Sequence, residues 1–145
     1  MENKREIFQY GSDQLTCSIA MQLATGHIKG ELTASTIEKV VQSAQYVQEI
    51  VDSGKIVYGI NTGVGPLCTT LINPADTKKL QENILKSHAV GIGEPIDKQL
   101  SKLMMILKVH ALAKGYSGIQ LTTLERMIWF IDHDIIPIVP DRKSV

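Results

Sequence analysis

Tyr58-Gly59-Ile60-Asn61-Thr62-Gly63-Val64-Gly65 sets a tyrosine at the entrance of a loop that holds three glycines and an Asn-Thr pair. Glycine lets a backbone turn tightly and approach a ligand closely. Tyrosine can take a proton from carbon only when its pKa is drawn down from about 10, which needs a helix N-terminus or hydrogen-bond donors on its oxygen. Two common Gly-rich loops do not fit. A phosphate cradle ends in Gly-Lys-Ser/Thr, and this loop has no lysine. A dinucleotide fingerprint leads from a strand into a helix, whereas Pro66 breaks the continuation after Gly65. The residues alone leave two readings, a structural turn first and a substrate-facing loop second.

Around this loop the chain reads as one ordinary domain. Its 145 residues are enough to bury a real core. Fifteen basic residues balance fifteen acidic ones, which argues against a polybasic nucleic-acid surface or an acidic tail. The longest apolar runs are too short to span a bilayer, and Met1-Glu2-Asn3-Lys4-Arg5-Glu6 has no apolar signal core behind it. The expectation is a cytoplasmic protein with no membrane partner. Cys17 and Cys68 are far apart in sequence and have no metal-ligand spacing, so both are expected as buried or half-buried free thiols.

Low aromatic content and long stretches of period 3.6 predict a mostly helical fold. Ile7-Phe8-Gln9-Tyr10 reads as a short strand ended by Gly11-Ser12-Asp13. A short helix is expected over Leu15 to Ala24, stopped by Gly26. A clearer one starts near Thr33 to Ser35, with the stripe Ile37, Val40, Val41, Ala44, Val47, Ile50 and Val51, and ends at Gly54. Lys55-Ile56-Val57-Tyr58 is then a short extended piece feeding the glycine loop. Asn73-Pro74 signals an N-cap followed by proline at the first helical position. That helix carries Leu80, Ile84, Leu85 and His88 and is expected to end at Gly91 to Gly93. The next is expected from about Ile96 to Ala113 with Leu100, Leu103, Met104, Leu107 and Ala111 inward, and the last over Leu121 to His133 with Leu124, Met127, Ile128 and Ile131 inward. Ile135-Ile136-Pro137-Ile138-Val139-Pro140 is an apolar extended segment expected to lie against further structure.

A second candidate site is Ser87-His88-Ala89 near a helix end. A lone histidine on an apolar helix is first read as a satisfied core residue. The alternative is an imidazole facing the same pocket as Tyr58, with the short Ala89 leaving room beside it. His27, His88, His110 and His133 form no i, i+4 pair and no His-Glu-x-x-His pattern, so no zinc site is expected. Asp132 and Asp134 read as solvated capping, and Glu94 and Asp97 as carboxylates at a helix N-terminus. No Gly-x-Ser-x-Gly elbow is present.

Three blocks, in order, resemble the aromatic amino acid lyases. They are Tyr58 to Gly65, then Leu80 to Gly93 around Ser87-His88-Ala89, then Met104 to Gly118 with Gly115-Tyr116-Ser117-Gly118. The segment Ile135 to Pro140 is similar to the stretch before that family's Ala-Ser-Gly triplet, and the likeness covers about residues 35 to 145. The resemblance implies a mainly α chain, the N-terminal region of the aspartase/fumarase-like helical fold, with short extended segments around the Tyr58 loop. It implies that residues 1–145 form one incomplete domain.

The resemblance also implies a chemistry. In the family Ala-Ser-Gly closes on itself into a methylidene-imidazolone electrophile, so no external cofactor and no metal is needed. That triplet is absent from these 145 residues. By motif match Tyr58 is the base that removes the β-hydrogen. His88 is the pocket histidine that orients the substrate, and Asn61 and Gly65 shape the pocket. The pair His88-Ala89 after Ser87 is similar to the branch that eliminates ammonia from L-histidine to give trans-urocanate. Phenylalanine or tyrosine lyases, aminomutases and a non-catalytic truncated remnant are the alternatives. The implied partners are a small amino acid and, for the intact protein, three further subunits of a homotetramer. Residues 1–145 alone are expected to be inactive. Two departures stand out: Val64 replaces an aromatic common in the loop, and Lys143 stands where glycine is usual.

Overall fold

The computed structural model describes residues 7–58, 60, 62 and 74–142, with the side chains of 74–78 and 81 left aside. Nine elements follow in order among these residues: β1 (Ile7–Gln9), α1 (Cys17–Ala24), β2 (Lys29–Glu31), α2 (Ala34–Asp52), α3 (Pro74–His88), β3 (Ile92–Pro95), α4 (Lys98–Leu112), α5 (Leu121–Asp132) and β4 (Pro140–Arg142). The chain is mainly helical, as the periodicity predicts. It divides into two compact units. One comprises the residues up to Gln45 with Ile96–Ile138, the other Tyr46–Pro95 with the residues from Val139 onward.

In the first unit β1 and β2 pair in parallel, with Ile7 opposite Lys29, Phe8 opposite Gly30 and Gln9 opposite Glu31. Helix α1 makes the crossover. Thr16 caps it, its hydroxyl accepting from the Ile19 N–H at 3.3 Å. The core joins Phe8, Tyr10, Leu23, Val40, Ile106, Val109, Leu124 and Ile131 from both strands' surroundings and from α1, α2, α4 and α5. Each fully buried aliphatic side chain here contributes about 1.5–3 kcal/mol of transfer free energy. Gly30 is required by contact. A β-carbon there would overlap the ring of Tyr10, which packs directly against Gly30.

Helix α2 starts where expected, with the Thr33 hydroxyl accepting from the Thr36 N–H at 3.1 Å. Asp97 caps α4, accepting from Gln99 and Leu100 at 2.8 and 3.3 Å, as its placement before the helix predicts. Glu94, expected beside it as a helix carboxylate, lies instead in β3.

The inward face of α4 is a correction. Of the residues expected inward, Leu103 packs against the core, but Leu100, Met104 and Leu107 are 49%, 41% and 53% exposed, and Ala111 is exposed too. The buried line is Lys102, Ile106, Val109 and Ala113. Both lines run i, i+4, i+7, i+11, displaced by two residues and hence by roughly 160° around the helix. Periodicity cannot choose between two seams of the same spacing. Packing against α1 and α5 chooses. The Lys102 stem lies in the core while its ammonium reaches Asp134 at 3.0 Å, and Lys98 bonds the other oxygen of that carboxylate at 2.6 Å. The hydrogen bonds from Lys98 and then Lys102 hold the Asp134 carboxyl below its usual range. Asp134 is therefore an ion-pair partner rather than a solvated cap, and it holds a left-handed φ of 55° just after α5.

Helix α5 buries Leu124 and Ile131, with Met127 and Ile128 packed against the core, as predicted. Cys17 is exposed, not buried, because it opens α1 on the solvent side. Cys68 lies outside the described residues. In the second unit β3 and β4 pair antiparallel, Ile92 opposite Arg142 and Pro95 opposite Pro140. Gly93, at φ +97°, makes room for the Asp141 carboxylate. Ile135 and Ile138, expected to be covered, are 49% and 80% exposed. Among the described residues no helix is long and apolar enough to cross a membrane.

Candidate active site

The two described candidates, Tyr58 and His88, both belong to the second unit. Helix α2 stops after Asp52 and the chain continues through Lys55–Val57 outside any helix or strand. The Ile60 N–H donates to the Val57 carbonyl at 3.1 Å and closes a tight turn that contains Tyr58. Inside that turn the phenol faces outward and is 67% exposed. Thr62, four residues on, is buried. Asn61, Gly65, Val64 and Lys143 lie outside the described residues.

His88 is the last residue of α3, which begins at Pro74 as the Asn73-Pro74 signal predicts but ends before the expected Gly91 to Gly93, because Ile92 and Gly93 lie in β3, paired with β4. It is exposed, so the reading of a satisfied core histidine does not hold. Its Nδ1 lies 2.9 Å from the Ile84 carbonyl and 3.0 Å from the Ser87 hydroxyl. A carbonyl only accepts, so Nδ1 is the donor in that contact. Nδ1 then carries a proton, and Nε2 is the ring nitrogen outside this clamp. The Ser87 hydroxyl also donates to the Ile84 carbonyl, at 3.0 Å. The spacing i, i+3, i+4 at the end of a helix is what makes this local clamp possible.

Tyr58 and His88 share no hydrogen bond, and among the described residues no donor reaches the Tyr58 oxygen. Also among the described residues, no group of three or more His, Cys, Asp and Glu is arranged to hold a metal ion. The first unit includes two concavities formed by described residues. One is enclosed by Tyr10, Lys102 and Asp132, the other is an open hollow over Leu32, Ile37 and Ile128. Sequence reasoning singled out neither Tyr10 nor Lys102. Nothing in their local pattern marks them, because their neighbours come from β2, α1 and α5.

The sequence profile of the aromatic amino acid lyases matches residues 15–145. This chain belongs to the aromatic amino acid lyase family. It is 40% identical over 132 residues to the histidine ammonia-lyase of Vibrio cholerae serotype O1, covering 91% of this chain and 26% of that protein. Over 139 residues it is 33% identical to the histidine ammonia-lyase of Streptococcus pyogenes serotype M5, covering 96% and 27%. The crystal structure of histidine ammonia-lyase from Trypanosoma cruzi superposes with a TM-score of 0.81 at 26% identity, over 96% of this chain and 27% of that one. Tyrosine aminomutase from Streptomyces globisporus superposes at 0.87 with 23% identity, over 96% and 26%, a likeness of fold alone. This lyase-family chain thus spans about a quarter of the length of the relatives it matches.

Proposed function

We propose that residues 1–145 form the N-terminal part of the catalytic machinery of a cytoplasmic, homotetrameric histidine ammonia-lyase, which eliminates ammonia from L-histidine to give trans-urocanate. The identity of 33–40% to curated histidine ammonia-lyases carries this reading, together with Ser87-His88-Ala89 standing open at the end of α3. Tyr58 is the base. Its exposed phenol, in a turn next to the glycine-rich loop, can approach a β-hydrogen, and donors supplied from elsewhere in the protein stabilise its anion. His88, with Nδ1 committed to the Ile84 carbonyl, offers Nε2 as an acceptor for an N–H of the substrate imidazole. Asn61 and Gly65 shape the pocket. A methylidene-imidazolone formed from an Ala-Ser-Gly triplet, which residues 1–145 do not contain, supplies the electrophile that acidifies the β-hydrogen. A group made from backbone needs no ligand cradle, and the exposed hydroxyl of Tyr58 and imidazole of His88 suit it. No external cofactor enters this scheme.

The experiment is a chimaera in which residues 1–145 replace the matching quarter of the Vibrio cholerae enzyme. The chimaera is expected to form urocanate, measured by its ultraviolet absorbance, while residues 1–145 alone form none. Tyr58→Phe in the chimaera is expected to lower turnover by about 10²–10⁴-fold, the range of a lost general base. His88→Phe is expected to lower histidine turnover relative to phenylalanine. A folded chimaera whose Tyr58→Phe form keeps its rate, or whose His88→Phe form keeps its preference, would refute the assigned roles.

A further inference from the structure

Tyr10 is 1% exposed, and its ring is walled by Gly30 and the core. Among the described residues no group hydrogen-bonds the Tyr10 hydroxyl. None of their side-chain polar atoms is sealed from solvent without a partner, so this oxygen must open into a space. That space is a crevice of about 70 Å³ bounded by Tyr10, Leu23, Gly30, Lys102, Ile131 and Asp132. Burial first, and the Asp132 charge second, push the phenol pKa up, so Tyr10 keeps its proton as a hydrogen-bond donor. Lys102, whose side chain is 10% exposed, gives one N–H to Asp134 and has two more to place.

We propose that this crevice is a specific site for a bound water that accepts from the Tyr10 hydroxyl and from Lys102 Nζ and donates to the Asp132 carboxylate. The crevice is large enough to admit it, with room for a neighbouring water, since a water takes about 30 Å³ in the liquid and needs two to four polar partners. The chemistry selects a neutral ligand. An anion would satisfy Tyr10 and Lys102 but face the Asp132 carboxylate. A cation would satisfy Asp132 but face an ammonium and a phenolic proton. Lys29 and Lys102 line the crevice together with Asp132, and the Lys102 charge is already met by Asp134, which it shares with Lys98. Water alone both accepts and donates. The site ties the residue that follows β1 to α4 and α5 through one molecule, where a direct bond does not reach.

The test is a crystal structure of the full chain at a resolution that shows ordered solvent, beside its Tyr10→Phe variant. The result expected is a solvent peak about 2.7–2.8 Å from the Tyr10 oxygen, the usual O–H···O distance, within bonding reach of Lys102 and Asp132, and missing in Tyr10→Phe. An empty crevice, a protein group bonded to the Tyr10 oxygen, or an adventitious ion only would overturn the proposal. In solution Tyr10→Phe is expected to lower the folding equilibrium constant about five-fold, the effect of one lost hydrogen bond. The exposed Tyr46→Phe should leave it unchanged. Equal, negligible effects at both tyrosines would also overturn it.

Discussion

Replacing Ile106 and Leu107 by alanine, one at a time, tests which seam of α4 is buried. The two residues are neighbours on one helix, and both changes replace a four-carbon side chain by a methyl. Ile106 is 0% exposed and packs in the central core, so truncation removes its transfer free energy and leaves a cavity. Such changes cost about 2–5 kcal/mol. Leu107 is 53% exposed, so truncation forfeits only part of the transfer term and opens no cavity. The expected cost is below about 1 kcal/mol, partly offset because alanine is the better helix former. Urea unfolding followed by circular dichroism reads the difference. With a slope of about 1–3 kcal/mol per molar, Ile106→Ala should lower the midpoint by about 1 M or more and Leu107→Ala by a few tenths. Equal losses, or a larger loss at Leu107, would show that the stripe Leu100, Met104, Leu107 and Ala111 is the packed face and that the fold of α4 described here is wrong.

Two further outcomes are expected. Gly30→Ala drives a methyl group into the ring of Tyr10, which the core holds in place, so it should destabilise by about 1–3 kcal/mol, the usual cost of overpacking, read as a lowered thermal midpoint. A wild-type midpoint would mean that Tyr10 does not lie on Gly30. His110 accepts a hydrogen bond from the Gly11 N–H on Nδ1 at 3.2 Å and packs against Phe8, and burial, with Lys114 adding and Asp13 opposing, lowers its pKa. The unfolded chain then takes up its proton near pH 6.5 and the folded chain only at lower pH, so this contribution is complete above pH 6.5 and is lost as pH falls below it. Urea midpoints between pH 7.5 and 5 should fall for the native chain and fall less for His110→Gln. Parallel profiles would remove His110 from the account.

Much of the fold was legible in the chain. The Asp97 cap, Pro74 opening α3 and the glycines after α1 and α2 carry their reasons locally, since each acts on backbone groups within four residues. The strands were harder. Ile7–Gln9 is readable as an apolar run before a turn, but Lys29–Glu31 and Ile92–Pro95 are not, because segments of three or four residues become strands only through their partners. The candidate site was readable as a set of motifs. Tyr58 and His88 could be named from the chain, yet their exposure, and the clamp that fixes the His88 proton on Nδ1, follow from a turn and a helix end.

Sequence by itself thus settled where helices begin and end and which family the motifs resemble, because capping, glycine stops and short motifs are local physics. It could not settle which of two equal seams on α4 is inside, since both have the spacing of a buried stripe. Only the tertiary structure decided that, by placing α1 and α5 over Ile106 and Val109 and a carboxylate, Asp134, where the one charged member of that seam, Lys102, could reach it. Burial of a lysine along an apolar helix depends on a partner 32 residues away, and no pattern within α4 contains that partner.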